Sequence, residues 1–423
     1  MPGPLTSNAT AAATATAATA AAAPGPRLRP RGSRHGGQRQ YNERVVLQAI
    51  RLHGALSGAD IARLTQLTAQ TVSLITKRLL DDGLIAKGEL QRGKVGQPSV
   101  PLALNPDGAY AIGIKVGRRS VDVLLVDFVG AVRARWTLGY RYPEPQQLLA
   151  EIAARLAEIR ALLDDAAYGR VQGIGIATPF SLGGWQTLLD MPPEVAARWP
   201  ATDLRADVAR LTDLPVELMK DTAAACVAEL VAGRGRSVQS FLYVFIDTFV
   251  GGGLVLDSHL HAGVHGNAGA IGSLPLERRG AGASPRQMLS IASLVNLERL
   301  YAEAGLDIGA AADERALQPP WAPWTQHWLA EAADAIAFAI NGAACLLDLD
   351  GVILDGSFSR ALQAALVTAV EQALTGYSWE GVERPPLLPG SIGSDARAIG
   401  GALLPLYANF APDRELFLKV ATE

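Results

Sequence analysis

The sequence predicts an α/β protein in which a small winged helix-turn-helix unit precedes two similar α/β domains around a cleft. Three observations lead to this fold class. Residues 42–105 run through helix, turn, polar helix and hairpin in that order. A meander of three strands, followed by helices and further strands, begins at residue 110 and again at residue 241. The charge balance also changes sign between the two parts of the chain.

The charge asymmetry separates a basic head from an acidic body. Residues 1–107 hold 13 Lys/Arg and 6 Asp/Glu, whereas the remainder holds 25 basic and 35 acidic residues. This balance is typical of a protein in which the head alone meets nucleic acid. The 423 residues are enough for two or three domains, each with its own core.

The first 40 residues differ in composition from the rest. Residues 9–23 form an Ala/Thr tract, and residues 24–40 contain five arginines and no acid. We expect a disordered extension rather than a secretory signal, because no basic region precedes the weakly apolar tract. Two roles stay open: the arginines add nonspecific phosphate contacts, or the segment is dispensable.

Cysteine usage and hydropathy indicate a cytoplasmic protein. Cys226 and Cys345 both lie in apolar helical patterns, so no disulfide framework is expected. No apolar run approaches the roughly 20 residues that a membrane span requires.

The head, residues 41–106, begins with two predicted helices. Apolar residues share one helical face over residues 42–50. Residues 57–60, Ser-Gly-Ala-Asp, have the pattern of a capping box with Asp in place of Glu, and they open a second helix that ends at Thr65.

A third predicted helix, residues 68–80, carries the polar surface. Its predicted buried stripe is Val72, Ile75, Leu79 and Leu80. Its predicted outer face is Gln70, Thr71, Ser73, Thr76 and Lys77. Short polar side chains of this kind reach base edges, and the cation suits phosphate, so we expect this helix to enter the major groove.

A hairpin follows, with strands at residues 84–89 and 100–104. The basic, glycine-containing segment between them, residues 91–98, is a predicted wing whose Arg92, Lys94 and Gln97 contact the DNA backbone or minor groove. The alternative for the whole head is a small helical protein-interaction domain.

The body alternates strands and helices in two predicted repeats, 108–222 and 223–423. The last helix of the second repeat can pack against the first repeat. The predicted strands of the body are 110–116, 120–126, 130–138, 171–177, 241–246, 252–257 and 259–261. The predicted helices are 145–166, 222–232, 284–304 and 324–347. Either of the last two could form a dimer seam or belong to the core.

Five segments of this body carry a resemblance to a known family. They are GIGIATP at 173–179, LPVELMKDTAAA at 214–225, the glycines 251–253, GNAGAIG at 266–272 and DARAIGGA at 395–402. Together with the head, they resemble the ROK family of repressors, open reading frames and sugar kinases from residue 42 to about 410. The resemblance implies a duplicated actin-like, ribonuclease H-like body.

The resemblance also shows where the chain departs from the kinases of the family. Their first phosphate turn, Asp-x-Gly-Gly-Thr, corresponds here to Lys115, Gly117, Arg118 and Arg119. In the second turn, Asp247 and Phe249 replace two glycines. Anion repulsion and steric filling both oppose ATP, so we expect no kinase activity and no cofactor.

The resemblance aligns Asp221 with the catalytic base of the kinases. A carboxylate there also binds hydroxyl groups without chemistry. The alternative is an exposed loop aspartate that caps the next helix. We expect Glu229, further along that helix, to be a solvated surface residue.

The sugar and zinc motifs of the family are also altered. Its sugar-binding Glu-x-Gly-His is Ala-Ile-Gly-Ser here, ending at Ser273, and the following segment 276–284 has no cysteine. We therefore expect no structural zinc, which needs about four N/S ligands. His259, His261 and His265 are expected to be ordinary loop histidines.

The polar residues left in the cleft are Thr178, Asp221, Asn267 and Ser273, which suit a small polar ligand, a sugar or a sugar derivative. The nearby Trp185 and Trp199 either stack on a sugar face or anchor their loop. The resemblance implies a transcriptional regulator, with repression expected, that binds a double-stranded operator as a homodimer or dimer of dimers. The enzyme alternative is a sugar kinase of the same family.

Overall fold

The computed structural model describes residues 35–89, 100–180, 182–183, 186, 190–277 and 285–411, and for residues 35–39 only the backbone. By its internal contacts the chain divides into Met1–Gln40 and Tyr41–Glu423. Apart from the first residues of the first helix, the described elements belong to the second unit.

Three helices and a two-stranded hairpin form the N-terminal part of this unit. The helices are α1 (His35–His53), α2 (Gly58–Thr65) and α3 (Ala69–Asp81). The antiparallel strands are β1 (Ile85–Lys87) and β2 (Leu102–Leu104). Their shared core consists of Val46, Leu47, Ile50, Ile61, Val72, Ile75, Leu79, Ile85 and Leu102.

Side-chain caps fix where α2 and α3 begin. The Ser57 hydroxyl oxygen accepts the Asp60 N–H at 3.1 Å, and the hydroxyl donates to the Asp60 carboxylate at 2.7 Å. Thr68 accepts the Thr71 N–H at 3.2 Å. Each cap satisfies an N–H that has no partner within its helix, so the predicted capping box is confirmed.

One prediction for α3 is wrong, and another holds only in part. Thr76 is buried rather than on the outer face, because it lies one turn after the buried Val72, and its hydroxyl donates to the Val72 carbonyl at 2.9 Å. Leu80 is only half-buried and packs at the margin of the core.

The first half of the body is a five-stranded mixed sheet with helices. Its strands are β3 (Tyr110–Val116), β4 (Ser120–Asp127), β5 (Val132–Gly139), β6 (Val171–Thr178) and β7 (Val216–Lys220). Its helices are α4 (Pro145–Leu162), α5 (Asp165–Tyr168), α6 (Pro193–Ala196) and α7 (Leu204–Ala209). The order is β5-β4-β3-β6-β7; β3, β4 and β5 are antiparallel, and β6 and β7 run parallel to β3.

The second half repeats this topology. Its strands are β8 (Phe241–Ile246), β9 (Val250–Leu256), β10 (His259–His261), β11 (Gly351–Gly356) and β12 (Leu387–Pro389). Its helices are α8 (Asp221–Ala232), α9 (Leu289–Ala292), α10 (Leu294–Glu303), α11 (Ala322–Leu347), α12 (Arg360–Leu374) and α13 (Ala396–Phe410). The order β10-β9-β8-β11-β12 has the same pattern of antiparallel and parallel pairs. The predicted duplication is therefore present.

Short 3-10 helices connect these elements at Pro106–Gly108, Trp199–Ala201, Arg234–Ser237, Ile271–Ser273, Ile308–Ala312, Glu314–Leu317 and Gly393–Asp395.

The C-terminal helix α13 packs against the first sheet as well as against α8, as the sequence allowed. Glycines make this close approach possible. A Cβ atom at Gly175 would overlap the carbonyl oxygen of Gly401, and one at Gly400 would overlap that of Ala224. The backbone of α13 thus touches the backbone of β6 at Gly175 and the backbone of α8 at Ala224, and only glycine permits so close an approach.

The single helix predicted for residues 284–304 is wrong. Gln287 forms an isolated β-bridge with Pro275, and the helical part is split at Ser293 into α9 and α10. The buried Ser293 hydroxyl accepts the Val250 N–H at 2.9 Å and donates to the Leu289 carbonyl at 2.6 Å. A tertiary hydrogen bond to a neighbouring strand therefore holds the extended break. Residue 284 lies outside the described part.

One helix of the described part, α11, is long and apolar enough to cross a bilayer by length and composition alone. Its inner face, which includes Trp328, Ile336 and Ile340, lies in the core of the second half. A helix in the core of a protein can meet the same criterion of length and composition. The prediction that no apolar run reaches membrane-spanning length is therefore wrong for α11, whose inner face is buried in the protein.

Candidate functional site

The two β-turns singled out by the sequence face each other at the junction of the two body halves. The guanidinium of Arg118, on the β3–β4 turn, lies 4.4 Å from the ring centroid of Phe249, on the β8–β9 turn. On the same first turn, Arg119 pairs with Glu298 of α10 at 3.2 Å. The substituted residues therefore contact one another across the junction.

Arg397, at the start of α13, is the charged centre of this junction. It is buried and pairs with Asp247 at 2.5 Å, and the same nitrogen lies 3.9 Å from Asp221. Burial alone would raise the pKa of Asp247, yet the nearby Arg397 and Lys115 hold that pKa at about 2. Asp247 is therefore an anion bound by the protein's own cations.

Lys115 is also satisfied within the protein. Its buried ammonium donates to Asp122 at 2.7 Å and to Ser120 at 2.5 Å. Burial is the main cause that lowers the pKa of Lys115, and repulsion from Arg397 lowers it further. The cation that replaces the family's carboxylate thus forms a local ion pair within the first sheet.

Asp221 is buried, so the exposed-loop alternative is wrong. It is the first residue of α8, and its carboxylate accepts the adjacent Thr222 N–H at 2.9 Å. Thr178, also buried, ends β6, while Asp221 follows β7, the parallel neighbour of β6. These two predicted ligand residues therefore lie at the same edge of the sheet.

The prediction for Glu229 is also wrong. Its side chain is fully buried, and its carboxylate accepts the N–H groups of Arg234, Ser391 and Ile392 and the Ser391 hydroxyl. Several hydrogen bonds to one carboxylate compensate for its burial. Glu229 thus ties α8 to the turn after β12, a tertiary role that helical periodicity does not show.

Asn267 and Ser273 are exposed and lie on the segment between β10 and α9. A Cβ at Gly266, beside Asn267, would lie 2.9 Å from the ring of Phe180, which closely follows Thr178. The structure thus brings the segment of Asn267 towards Thr178. We find no contact that brings Ser273 to this group among the described residues.

A cavity of about 610 Å³ opens beside Thr178 in the first half of the body. Phe180, Trp199 and Leu218 line it together with Gln186, Thr202 and Asp203. Trp199 is 8% exposed, and its indole N–H donates to the Pro143 carbonyl at 3.1 Å, which supports the loop-anchoring role. Of the four predicted ligand residues only Thr178 lines this cavity, and Trp185 lies outside the described part.

The outer face of α3 presents polar groups. Gln70, Ser73 and Lys77 are exposed, and Thr71 is half-buried with its hydroxyl 2.8 Å from that of Thr68. The predicted wing residues Arg92, Lys94 and Gln97 lie outside the described residues.

Helix α1 contacts the body through arginines. Arg51 donates to the Phe128 carbonyl at 2.9 Å and lies 5.7 Å from the ring of Tyr407, near the end of α13. Arg236, just after α8, hydrogen-bonds the carbonyl of Leu52. The end of α1 therefore touches both halves of the body.

The histidine group holds no recognisable metal site. The ring of His259 lies 2.6 Å from the Asp257 carbonyl oxygen, and His261 and His265 are exposed. Across the part of the chain that the structure describes, no group of three or more His, Cys, Asp or Glu side chains is placed to hold a metal ion.

Comparison with known proteins identifies a matching family model and a similar repressor. A family model described as the ROK family matches residues 111–407. The xylose repressor of Bacillus subtilis is 23% identical over 57% of this chain and 62% of its own length. The chain thus spans less than two thirds of that repressor.

Solved structures share the fold. A ROK family transcriptional regulator, a homologue of the Escherichia coli MLC protein, matches with a TM-score of 0.61 and 23% identity over 89% of this chain and 97% of its own. A ROK glucokinase from Streptomyces griseus, solved with glucose and AMPPNP, matches with a TM-score of 0.56 and 20% identity over 70% and 99%. At these identities the likeness concerns the fold alone.

Proposed function

Because the chain belongs to the ROK family, we propose that it is a transcriptional regulator, and specifically a repressor. Residues 41–106 bind a double-stranded operator, and the body senses a small polar ligand without phosphorylating it. The observation that carries this proposal is the exposed polar face of α3 in a helix–turn–helix followed by a hairpin. The similarity to a xylose repressor supports it.

In this proposal, α3 lies in the major groove as the recognition helix of a winged helix-turn-helix. Gln70, Thr71, Ser73 and Lys77 meet bases and phosphates there. Arg92, Lys94 and Gln97 of the wing contact the backbone or the minor groove. A homodimer, or a dimer of dimers, presents two such heads to paired half-sites.

The route from ligand to DNA runs along α13. Arg397 at its start holds Asp247, and Tyr407 near its end faces Arg51 of α1. A ligand beside Thr178 and Asp221 that favours one arrangement of the two halves would shift this helix and with it α1. The ligand must bind the two arrangements with different affinity for DNA binding to change.

Replacing both Gln70 and Lys77 by alanine is expected to abolish sequence-specific DNA binding while leaving the fold intact, because both side chains are exposed. Loss of a base contact costs about 1–3 kcal/mol, and loss of one phosphate contact lowers the salt slope by about one. Fluorescence anisotropy on selected and random duplexes at several salt concentrations measures both. Arg210→Gln, which removes an exposed charge just after α7, is the matched control. Unchanged specificity in the double variant would refute the assignment of α3.

The rival function is a ROK sugar kinase, and the buried Asp221, at the same edge of the first sheet as Thr178, is its one specific support. Against it, Arg397 faces that carboxylate, and the Arg118–Phe249 stack and the Arg397–Asp247 pair fill the two turns that hold the triphosphate of ATP in the kinases of the family. We therefore expect purified protein to release no sugar-dependent ADP from ATP over a broad sugar panel. Release above the sugar-free background would overturn the non-enzymatic proposal.

A further inference from the structure

Arg118 is a cation whose hydrogen-bonding capacity is left unused. Its Nε is buried and has no hydrogen-bond partner among the described residues, and no carboxylate of those residues pairs with it at salt-bridge distance. One face of its guanidinium lies on the ring of Phe249. A buried donor without an acceptor costs free energy unless a ligand or an ion supplies one.

Unlike Arg118, the neighbouring cations each form an ion pair with a carboxylate. Lys115 pairs with Asp122, Arg119 with Glu298 and Arg397 with Asp247. The Nε atoms of Arg119 and Arg397 also lack a hydrogen-bond partner, but each of these side chains is paired with a carboxylate. Among the described residues of this junction, Arg118 is therefore the cation without an ion pair, and it remains for an added anion. Asp221 and Asp247 act on it only at longer range, and burial lowers the pKa of Arg118 despite them.

The geometry of a guanidinium defines what it binds best. Its planar fork matches the two oxygens of a carboxylate or a phosphate, whereas neutral hydroxyl groups make weaker single bonds. The aromatic ring under one face holds the fork in place, since cation–π contact orients the plane. The fork is thus fixed at the junction of the two halves before any ligand arrives.

We propose that Arg118 binds an oxyanion, a carboxylate or a phosphate ester, so that the sensed effector is an acidic molecule rather than a neutral sugar. This inference rests on the proposed sensing function, whose polar groups Thr178 and Asp221 would take the hydroxyl part of the same ligand. An anion at Arg118 also lies beside Phe249 and so touches both halves of the body at once. Its binding therefore favours the arrangement in which the two turns meet.

The test uses the full-length protein with acetate and with inorganic phosphate, each titrated against chloride at constant ionic strength and pH. We expect a saturable rise in melting temperature with at least one of the two anions, and which one separates carboxylate from phosphate ester. Arg118→Gln should weaken the apparent affinity about tenfold or more, because a charge-assisted hydrogen bond contributes about 1.5–3 kcal/mol. Arg141→Gln, at an exposed arginine, should leave it unchanged.

Phosphate also stabilises proteins by exclusion from their surface, and that rise does not saturate. If the wild type shows only this unsaturated rise, or if Arg118→Gln retains the saturable one, the site does not exist. Should Arg118→Gln not fold, Arg118→Lys keeps the charge and loses the fork, and affinity equal to the wild type would then overturn the proposal. DNA anisotropy on the same samples separates the two failures: an absent anion site with intact DNA binding refutes this inference alone, whereas absent DNA binding refutes the regulator.

Discussion

Replacing Gly175 by valine is expected to destabilise the protein by at least about 3 kcal/mol. Gly175 lies in β6 where the backbone of α13 passes, so that even a Cβ atom would overlap the carbonyl oxygen of Gly401. Backbone cannot yield as a flexible side chain does, and α13 would have to leave the sheet. Urea unfolding followed by circular dichroism measures the change in the free energy of unfolding.

Gly342 provides the control for this substitution. It lies within helix α11, and a Cβ there would meet nothing within 4 Å. Gly342→Ala should therefore stabilise the protein by about 0.5–1 kcal/mol, because alanine is the better helix former. A loss of less than about 1 kcal/mol in Gly175→Val would contradict the close packing of α13 on the first sheet.

Replacing Arg397 by methionine is expected to cost about 3–5 kcal/mol. The substitution leaves Asp247, and the more distant Asp221, without their nearest cation at a largely buried junction. Unfolding of Arg397→Met and of Arg397→Met/Asp247→Leu measures the coupling of the pair. We expect the double variant to be more stable than Arg397→Met, since it removes the orphaned charge.

The same pair predicts how stability depends on pH. The pKa of Asp247 in the folded protein, about 2, lies below the value of about 3.9 for an unfolded aspartate. Its contribution, on the order of 2 kcal/mol, is therefore fully present above pH 4 and is lost as the pH falls from about 4 through about 2. Arg397→Met should lose less stability than the wild type over this range. An equal loss in both proteins would show that the pair is not formed.

Much of the fold was predictable because its signals are local. Strands such as Tyr110–Val116 and Phe241–Ile246 were predicted at their observed bounds, since apolar β-runs between turn residues determine them. The Ser57 cap was equally readable, because a capping box acts within four residues.

The errors have tertiary causes. Glu229 was predicted to be solvated from its position in the helix alone. That position does not reveal that Ser391, more than 150 residues later in the sequence, donates hydrogen bonds to its carboxylate. Ser293 interrupts a helix because its hydroxyl accepts a hydrogen bond from Val250 of β9, a strand that is close in space but distant in the sequence. Thr76 and the half-buried Leu80 show that the phase of a short helix is uncertain by one position.

The site was predicted only in part. The sequence singled out Asp221, Asp247 and both turns, but it did not select Arg397, which joins them. One signal was present: Arg397 is the sole charged residue of the apolar α13. A lone charge in a buried helix points to a partner, although its identity depends on which turns the fold brings together.

The central claim, that residues 41–106 make this ROK protein a sequence-specific DNA-binding regulator, is tested most directly by selecting fragmented genomic DNA on the full-length protein. The selection is run near physiological salt against excess nonspecific DNA, with the Gln70→Ala/Lys77→Ala variant in parallel. We expect enrichment of one or a few fragments with paired half-sites, and none with the variant. Fragments retained without any shared sequence, or equally by both proteins, would contradict the claim.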